Sequence, residues 1–415
     1  MGMILTIAWR NLWRHTRRTI LTMATISLGL ALFLVSVGLN DGGHMQMIES
    51  VVRLGSGHVL IQRQGYLASG GVERYLTGEE RRRATEWIRS QSGSFSIQRV
   101  AGRVFASGLA SSADGASGVL VIGMDPGVER EISLFHEKLL EGEFPEDLDS
   151  GQAILGRGVA RRLVVGIGDR VVLTAQAAKT GELESMLVRV GGIVHTGIEE
   201  LDEMLALLPI GTAQRFLGMG DGVHHLAILL AEPTESEPLA NLGKREMSDL
   251  EVVHWSEAHP EIVDFIELDT AGGYLFLLMI FILIGFLVLN TLLMSVLERG
   301  REFALLDALG LTPVRRFAMV MAEALVVAAL ATVGGAAIGF GAHLYFAVYG
   351  LPMDLFFAEE ITVAGVAFDP IIYSHLSAGR MLESVLLVFG LTLVLALVAA
   401  RRAARPGEIG ILGRS

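Results

Sequence analysis

Four stretches of the chain are almost uninterrupted runs of apolar side chains, at residues 19–40, 272–297, 317–347 and 381–400. Each has at least the roughly twenty residues that a helix needs to cross a hydrocarbon layer of about 30 Å, and 272–297 reaches about 39 Å at 1.5 Å per residue. They predict four transmembrane helices, TM1 to TM4. The 41–271 stretch between the first two has a different texture. Short apolar alternations are broken there by Gly and Asp turns, the pattern of a folded, water-facing domain. The predicted fold class is a membrane protein with four transmembrane helices and a large α+β extracytoplasmic domain between the first and the second.

Inside 41–271 the periodicity changes from element to element. Residues 41–52 are helix-like and continue the first apolar run, 58–62 alternates as a strand does, and 79–91 is a charged surface helix. Further strands are predicted at 100–110, 118–124, 170–175, 187–194 and 226–230, with a brief helix at 159–163 and a strand end leading into a helix over 208–216. Residues 231–260 are polar and give no clear period. The acidic helical run 261–269 then feeds straight into the second apolar run, so the domain is expected to stand on two helical stalks.

The polar segments flanking the apolar runs set the orientation. Residues 4–18 put Leu5, Trp9, Leu12, Trp13 and Thr16 on one helical face and Arg10, Arg14, Arg17 and Arg18 on the other, the layout of a helix lying flat on a membrane surface. The apolar run after it is longer than a signal-peptide core, so it reads as an uncleaved anchor. Four arginines precede TM1 (10, 14, 17, 18), four lie between TM2 and TM3 (299, 301, 315, 316) and four follow TM4 (401, 402, 405, 414). The 348–380 connector has Arg380 alone. By the positive-inside rule, segments 1–18, 298–316 and 401–415 are cytoplasmic, while 41–271 and the short 348–380 loop are extracytoplasmic.

Composition sharpens this picture. The 415 residues carry a net charge of −12, but 41–271 holds 35 acidic and 20 basic residues, so the remainder is net positive, with its cations on the proposed inner side. Mean hydropathy is +0.51, too apolar for an ordinary soluble chain. There is no cysteine, so neither disulfides nor thiolate chemistry enters.

The 298–316 connector is a short amphipathic helix, with Leu305, Leu306 and Leu309 on one side and Asp307 on the other. Gly310 suits a helix end and Thr312-Pro313 a new start. The wording Glu298-Arg-x-Arg-Glu-Phe-Ala-Leu-Leu-x-Ala-Leu-Gly310 resembles the cytoplasmic segment of the MacB/FtsX superfamily of ABC-transporter permeases, closest to its lipoprotein-releasing (LolC/LolE-like) branch. The opening Ala8-Trp-Arg-Asn-Leu-x-Arg-x-x-Arg-Arg-Thr19 is similar to that family's start. Gly57-His-Val-Leu-Ile-Gln-x-x-Gly-Tyr66, Val121-Ile-Gly-Met-Asp-Pro126, Leu140-Glu-Gly142, Ile154-Leu-Gly156 and Gly168-Asp-x-Val171 resemble phrases of its extracytoplasmic domain in the same order.

The resemblance implies an ATPase-coupling helix made of Arg301, Glu302, Phe303, Ala304, Leu305, Leu306, Leu309 and Gly310. It implies partners as well: a dimer of ABC ATPases binding ATP and Mg, a second permease copy or a sister permease, and a lipoprotein, lipid or hydrophobic substrate. The implied location is a bacterial inner membrane with the large domain in the periplasm. A second branch of the superfamily, the FtsX type, implies instead a relay that switches a cell-wall hydrolase, generally with a smaller external domain.

Chemistry-bearing patterns are sparse. None of Lys138, Lys179 and Lys244 sits in G-x-x-x-x-G-K-[ST], so ATP hydrolysis is expected in another chain and no cofactor in this one. No His-Glu-x-x-His and no Gly-x-Ser-x-Gly is present, and neither a catalytic nor a metal site is expected. Nucleic acid is not an expected partner. Glu323 is the one acid well inside an apolar run, about 10 Å along a helix from Arg316 and on the same face. It suits pairing near the inner interface or a part in coupling. Ala331, Gly335 and Gly339 form a small-residue stripe that permits close helix packing.

Overall fold

The computed structural model describes residues 9–10, 13, 16–147, 150–298, 305, 312–353, 362–363, 366–367 and 371–404. In chain order the principal helices are α1 (Thr16–Val51), α2 (Gly78–Gln91), α3 (Pro126–Ile132), α4 (Arg157–Leu163), α5 (Ile210–Phe216), α6 (Ser236–Glu246), α7 (Pro260–Glu298), α8 (Pro313–Tyr349) and α9 (Ala378–Ala404). The main strands are β1 (Val59–Arg63), β2 (Ile97–Ser111), β3 (Ala116–Met124), β4 (Leu139–Gly142), β5 (Gln152–Gly156), β6 (Arg170–Gln176), β7 (Leu183–Val194), β8 (Leu205–Pro209), β9 (His225–Leu230) and β10 (Leu250–His254). The chain divides into two compact units. One gathers the described residues of 1–45, 267–355 and 370–415, and the other is built on Gln46–Ile266.

The helical unit contains the apolar parts of α1, α7, α8 and α9, and each of these four helices is long and apolar enough to cross a membrane. Its core is built from Ile26, Leu30, Phe33 and Leu34 of α1, Leu277 and Val288 of α7, Val327 and Ala331 of α8 and Val388 of α9. Large side chains on the outer faces, among them Leu28, Phe276, Ile338 and Leu386, remain exposed. A helix that is apolar all round, with its bulk facing outward, is stable only in lipid or against another apolar surface.

The second unit is a mixed sheet whose order is β10-β1-β9-β2-β3-β8-β5-β7-β4, with β6 joining β2 to β7. That extra strand closes a ring, β2-β3-β8-β5-β7-β6 and back to β2. The β3/β8 and β5/β7 pairs are parallel and the other pairs of the ring antiparallel. Closure removes the sheet edges that would otherwise invite unwanted pairing. The barrel interior is filled by inward side chains at every second position, for example Val171, Leu173 and Ala175 of β6 and Val188 and Val190 of β7, while Arg170, Gln176, Leu187 and Arg189 point out. Val159 and Leu163 of α4 belong to the same core, as do Ile210, Ala213 and Phe216 of α5.

Strand β2 belongs to two sub-sheets. Its first half, Ile97 to Arg103, pairs with β9, and its second half, Val104 to Ser111, pairs with β3. The first half therefore extends a four-stranded antiparallel layer, β10-β1-β9-β2. Helices α2 and α6 contribute Ala84, Ile88, Leu239 and Ala240 to its core. Helix α2 starts at a reciprocal cap: Thr77 Oγ1 accepts from the Glu80 N–H, and the Thr77 N–H donates to Glu80 Oε2 at 2.8 Å. Gly57, at φ +63°, lets the chain enter β1. A Cβ there would meet Ile228 N and O at 2.9 Å, so no larger residue fits.

Most strands expected from alternation are present, some longer than expected: 100–110 becomes Ile97–Ser111 and 187–194 becomes Leu183–Val194. Strands β4 and β5 carry no periodic signal because β4 is exposed along nearly its whole length and β5 is buried along nearly all of it, so neither alternates. The polar 231–260 stretch, which gave no period, holds α6, β10 and a turn over Trp255–Ala258. In α6 the buried Leu239, Ala240 and Gly243 are too few against the surrounding charge to stand out in sequence.

Candidate functional site

The coupling segment falls almost wholly outside the described residues: Arg301, Glu302, Phe303, Ala304, Leu306, Leu309 and Gly310 are not among them. Leu305 is helical and 69% exposed. An apolar side chain standing so far out beside two bilayer-length helices needs either lipid or a partner surface over it.

Glu323 is half-buried on α8, and Arg316 at the start of that helix is buried. The small-residue stripe packs against α1. A Cβ on Gly335 would come within 2.7 Å of the Ser27 carbonyl oxygen and 2.9 Å of its Cα, and one on Gly339 within 3.0 Å of the Ala31 Cα. Ser27 Oγ donates to the Ala331 carbonyl at 2.7 Å, so the contact is also hydrogen-bonded. The stripe is what allows the two helices to approach backbone to backbone.

A polar lock closes one end of the helical unit. Asn40 Nδ2 donates to Asp269 Oδ2 at 2.6 Å, and His44 Nε2 lies 2.8 Å from the same oxygen, tying α1 to α7. Arg380 Nη2 donates to Asp41 Oδ1 at 3.1 Å and its Nη1 to Tyr274 Oη at 3.3 Å, adding α9. Ser374 Oγ meets His343 Nδ1 at 2.8 Å, and the His375 N–H donates to the Gly38 carbonyl at 2.7 Å. Sequence reading missed this lock. Asp41, Asp269 and Arg380 were legible as charges at the ends of apolar runs, but nothing in one dimension says that they meet.

In the sheet unit, α1 ends in one π-helical turn over Val52–Ser56, and Arg53 Nη2 donates to Glu137 Oε1 at 2.7 Å. Met47 and Val51 of α1 pack on Ile262 of α7. Beneath this lies a buried ion pair. Arg103 Nε and Nη2 each donate at 2.8 Å to the two oxygens of Glu129, with both residues almost fully enclosed. Such a bidentate pair fixes geometry more than it adds stability, because both charges have been desolvated.

His58, His224 and His225 are buried in the same sheet unit. His224 Nδ1 accepts the Phe105 N–H at 2.8 Å and its Nε2 lies 3.1 Å from the Val72 carbonyl, so the neutral ring carries its proton on Nε2. Burial pulls its pKa down to about 4 against the hydrogen bond to Val72. His58 accepts the Leu230 N–H, and burial with the nearby His254 lowers it to about 4 as well. Burial and Arg103 hold His225 well below its ordinary value. These rings are structural acceptors and donors in a core, and no group of three or more metal-ligating side chains occurs among the described residues.

Four bilayer-length helices joined to a closed mixed-sheet domain define a multi-pass membrane protein with a large folded domain, and the comparisons with known proteins narrow the class. Residues 19–242 match the MacB-like periplasmic core domain, and 274–407 match the FtsX-like permease C-terminal region. The first match alone spans more than half of the chain, and the chain belongs to this family of ABC-transporter permeases. The lipoprotein-releasing system transmembrane protein LolC of Neisseria meningitidis is 26% identical over 303 residues, 71% of this chain and 69% of that one. An uncharacterized ABC transporter permease protein of Mycobacterium tuberculosis is 25% identical over 80% of this chain and 37% of its own length. Among solved structures, the periplasmic region of MacB from Actinobacillus actinomycetemcomitans aligns with 52% of this chain and 97% of its own, at 13% identity and a TM-score of 0.34. The extracellular domain of the transporter YknZ aligns with 47% of this chain and 98% of its own, at 13% identity and a TM-score of 0.33.

Proposed function

We propose that this chain is the transmembrane subunit of an ABC transporter that couples ATP hydrolysis in a separate ATPase dimer to movement of its external sheet domain. The observation that carries the reading is the order of the two family matches, periplasmic core domain first and permease region second, along one chain with four apolar helices. ATP and Mg belong to the partner ATPase, which docks on the 301–310 helix. The sheet domain lies outside the membrane, in the periplasm, between the first and second spans, and a second copy or a sister permease completes the transporter in the inner membrane.

The substrate is a lipoprotein, lipid or hydrophobic compound. The resemblance to LolC chains, named for lipoprotein release, favours the first of these. The test is isolation of the intact assembly from its own membrane in mild detergent, with mass spectrometry of what is bound. Lipoprotein or lipid enriched by ATP-free capture and lost on ATP addition supports the reading. A cell-wall hydrolase as the sole enriched species overturns it.

A further inference from the structure

The two long helices shared by the helical and the sheet unit, α1 and α7, each carry adjacent glycines just inside the helical unit, in Asp41-Gly-Gly-His44 and in Ala271-Gly-Gly-Tyr274. Paired glycines weaken a helix relative to other residues and are a common place for it to kink. Around the pair of α7 the packing is thin. A Cβ on Gly272 or Gly273 would find no atom within 4 Å, no side chain between Ile262 and Leu277 is buried, and Leu268, Leu275 and Phe276 all stand exposed.

Among the described residues, two side chains tie the 267–276 stretch to other helices by hydrogen bonds, and they lie on either side of its glycines. Tyr274 Oη accepts from Arg380 Nη1 at 3.3 Å, while Asp269 Oδ2 accepts from Asn40 Nδ2 at 2.6 Å and lies 2.8 Å from His44 Nε2. Asn40 precedes the glycine pair of α1 and His44 follows it, so the two contacts of Asp269 differ in kind. The contact with His44 joins the parts of α1 and α7 beyond both glycine pairs, where Met47 and Val51 also pack on Ile262. The bond from Asn40 crosses the glycines. Asp269 is 42% exposed, so that bond exchanges for water at little net cost. On the near side of the glycines the packing is tight. The His375 N–H donates to the Gly38 carbonyl, a Cβ on Gly38 would fall 2.4 Å from Ser374 Oγ, and Arg380 holds Asp41 as well as Tyr274. A Cβ on Gly42 would fall 1.8 Å from the Tyr373 carbonyl oxygen, so this glycine also admits the 373–375 segment.

We propose that α1 and α7 form a latched double hinge: they bend together at Gly42-Gly43 and Gly272-Gly273 when Asp269 leaves Asn40. The contact of Asp269 with His44 and the packing of Met47 and Val51 on Ile262 keep the two helices side by side beyond the bend. Arg380, bound to Asp41 and Tyr274, keeps α1, α7 and α9 together on the near side. The Asn40–Asp269 hydrogen bond is the latch, because it joins one side of the hinge to the other. This hinge follows from the packing of the two helices and not from the transport reading, so a chain that recruits no ATPase would leave it standing.

The test uses the full chain in lipid nanodiscs, where the absence of native cysteine allows clean spin labelling. One label pair, Leu268→Cys with Leu382→Cys, reports across the hinge, and a second, Val348→Cys with Leu382→Cys, reports on its near side; all three positions are exposed. Pulsed electron–electron resonance should give a narrow distance distribution across the hinge in the otherwise unmodified chain. Asn40→Ala should raise a second, distinct distance severalfold in population. Adding Gly272→Ala and Gly273→Ala, which stiffen α7 and fit in open space, should return the distribution to its original form, since the two helices bend together. The near-side pair should keep one distribution throughout. An unchanged distribution in Asn40→Ala, a second distance that survives the two alanines, or a near-side pair that broadens with the first would each overturn the proposal, the last because it shows general loosening of the helices.

Discussion

Buried histidines make the sheet domain sensitive to acid. His58 and His224 are held neutral in the core, each with a pKa near 4, against an ordinary value of 6.5 in the unfolded chain. Between those values the unfolded state binds protons that the native state refuses, so stability falls as the pH drops from 6.5 towards 4 and levels off below. For His224 the loss is on the order of 3 kcal/mol over the whole window, at about 1.4 kcal/mol per unit of pKa shift. Urea unfolding of the full chain in detergent, followed by tryptophan fluorescence at pH 7 and pH 4.5, checks this. The unmodified protein should lose stability over the interval, and His224→Gln should lose markedly less. Equal slopes in the two proteins would contradict the assignment. Little of this was legible beforehand. Adjacent histidines at 224 and 225 carry no signal in the sequence of which environment each enters, and only the fold shows that one accepts the Phe105 N–H while the other lies against Arg103.

Among the elements, the apolar helices were the most legible because length and composition alone define them, whereas their mutual packing came only with the structure. The Ala331, Gly335 and Gly339 spacing announced a close contact, and the structure supplies its partner face on α1. Gly335→Ala places a methyl group against the Ser27 backbone, which cannot yield as a flexible side chain can. The helices must separate, at a cost of about 1–3 kcal/mol. Gly341, on the same helix, has open space around its Cβ position, so Gly341→Ala should be neutral or slightly stabilising. Thermal unfolding of the two variants in the same detergent checks the pair, and equal behaviour would remove the packing role from the stripe. Short strands were the least legible elements. β4 and β5 do not alternate between buried and exposed positions, and their pairing with β7 is fixed by neighbours distant in sequence.

For the whole molecule, the sequence gives a topology through twelve arginines on the proposed inside against one in the 348–380 connector. The chain has no native cysteine, so single reporters are clean. Thr234→Cys, exposed in the sheet domain, should label with an impermeant maleimide in intact cells, while Thr312→Cys, exposed at the start of α8, should label only after permeabilisation. The reverse pattern would invert the account. Closure of the barrel by β6 was not legible, because β6 bonds two strands, β2 and β7, only the second of which follows it in the chain.

The central claim is that the chain works as the membrane half of a machine whose ATPase is another polypeptide. Leu306 and Leu309 supply the apolar side of the proposed docking helix, and a carboxylate there would have to be desolvated at the interface, at a cost of several kcal/mol when unpaired. The most direct measurement is affinity purification of the full chain from its native membrane, with subunit identification and ATP hydrolysis, for the unmodified protein, Leu306→Asp, Leu309→Asp and Asp307→Asn. The account predicts an ATPase subunit and hydrolysis with the unmodified chain, near-normal recovery with Asp307→Asn, and loss of both with either leucine variant although the chain itself is inserted and folded. Full copurification and hydrolysis with both leucine variants, or no ATPase with the unmodified chain, would contradict it.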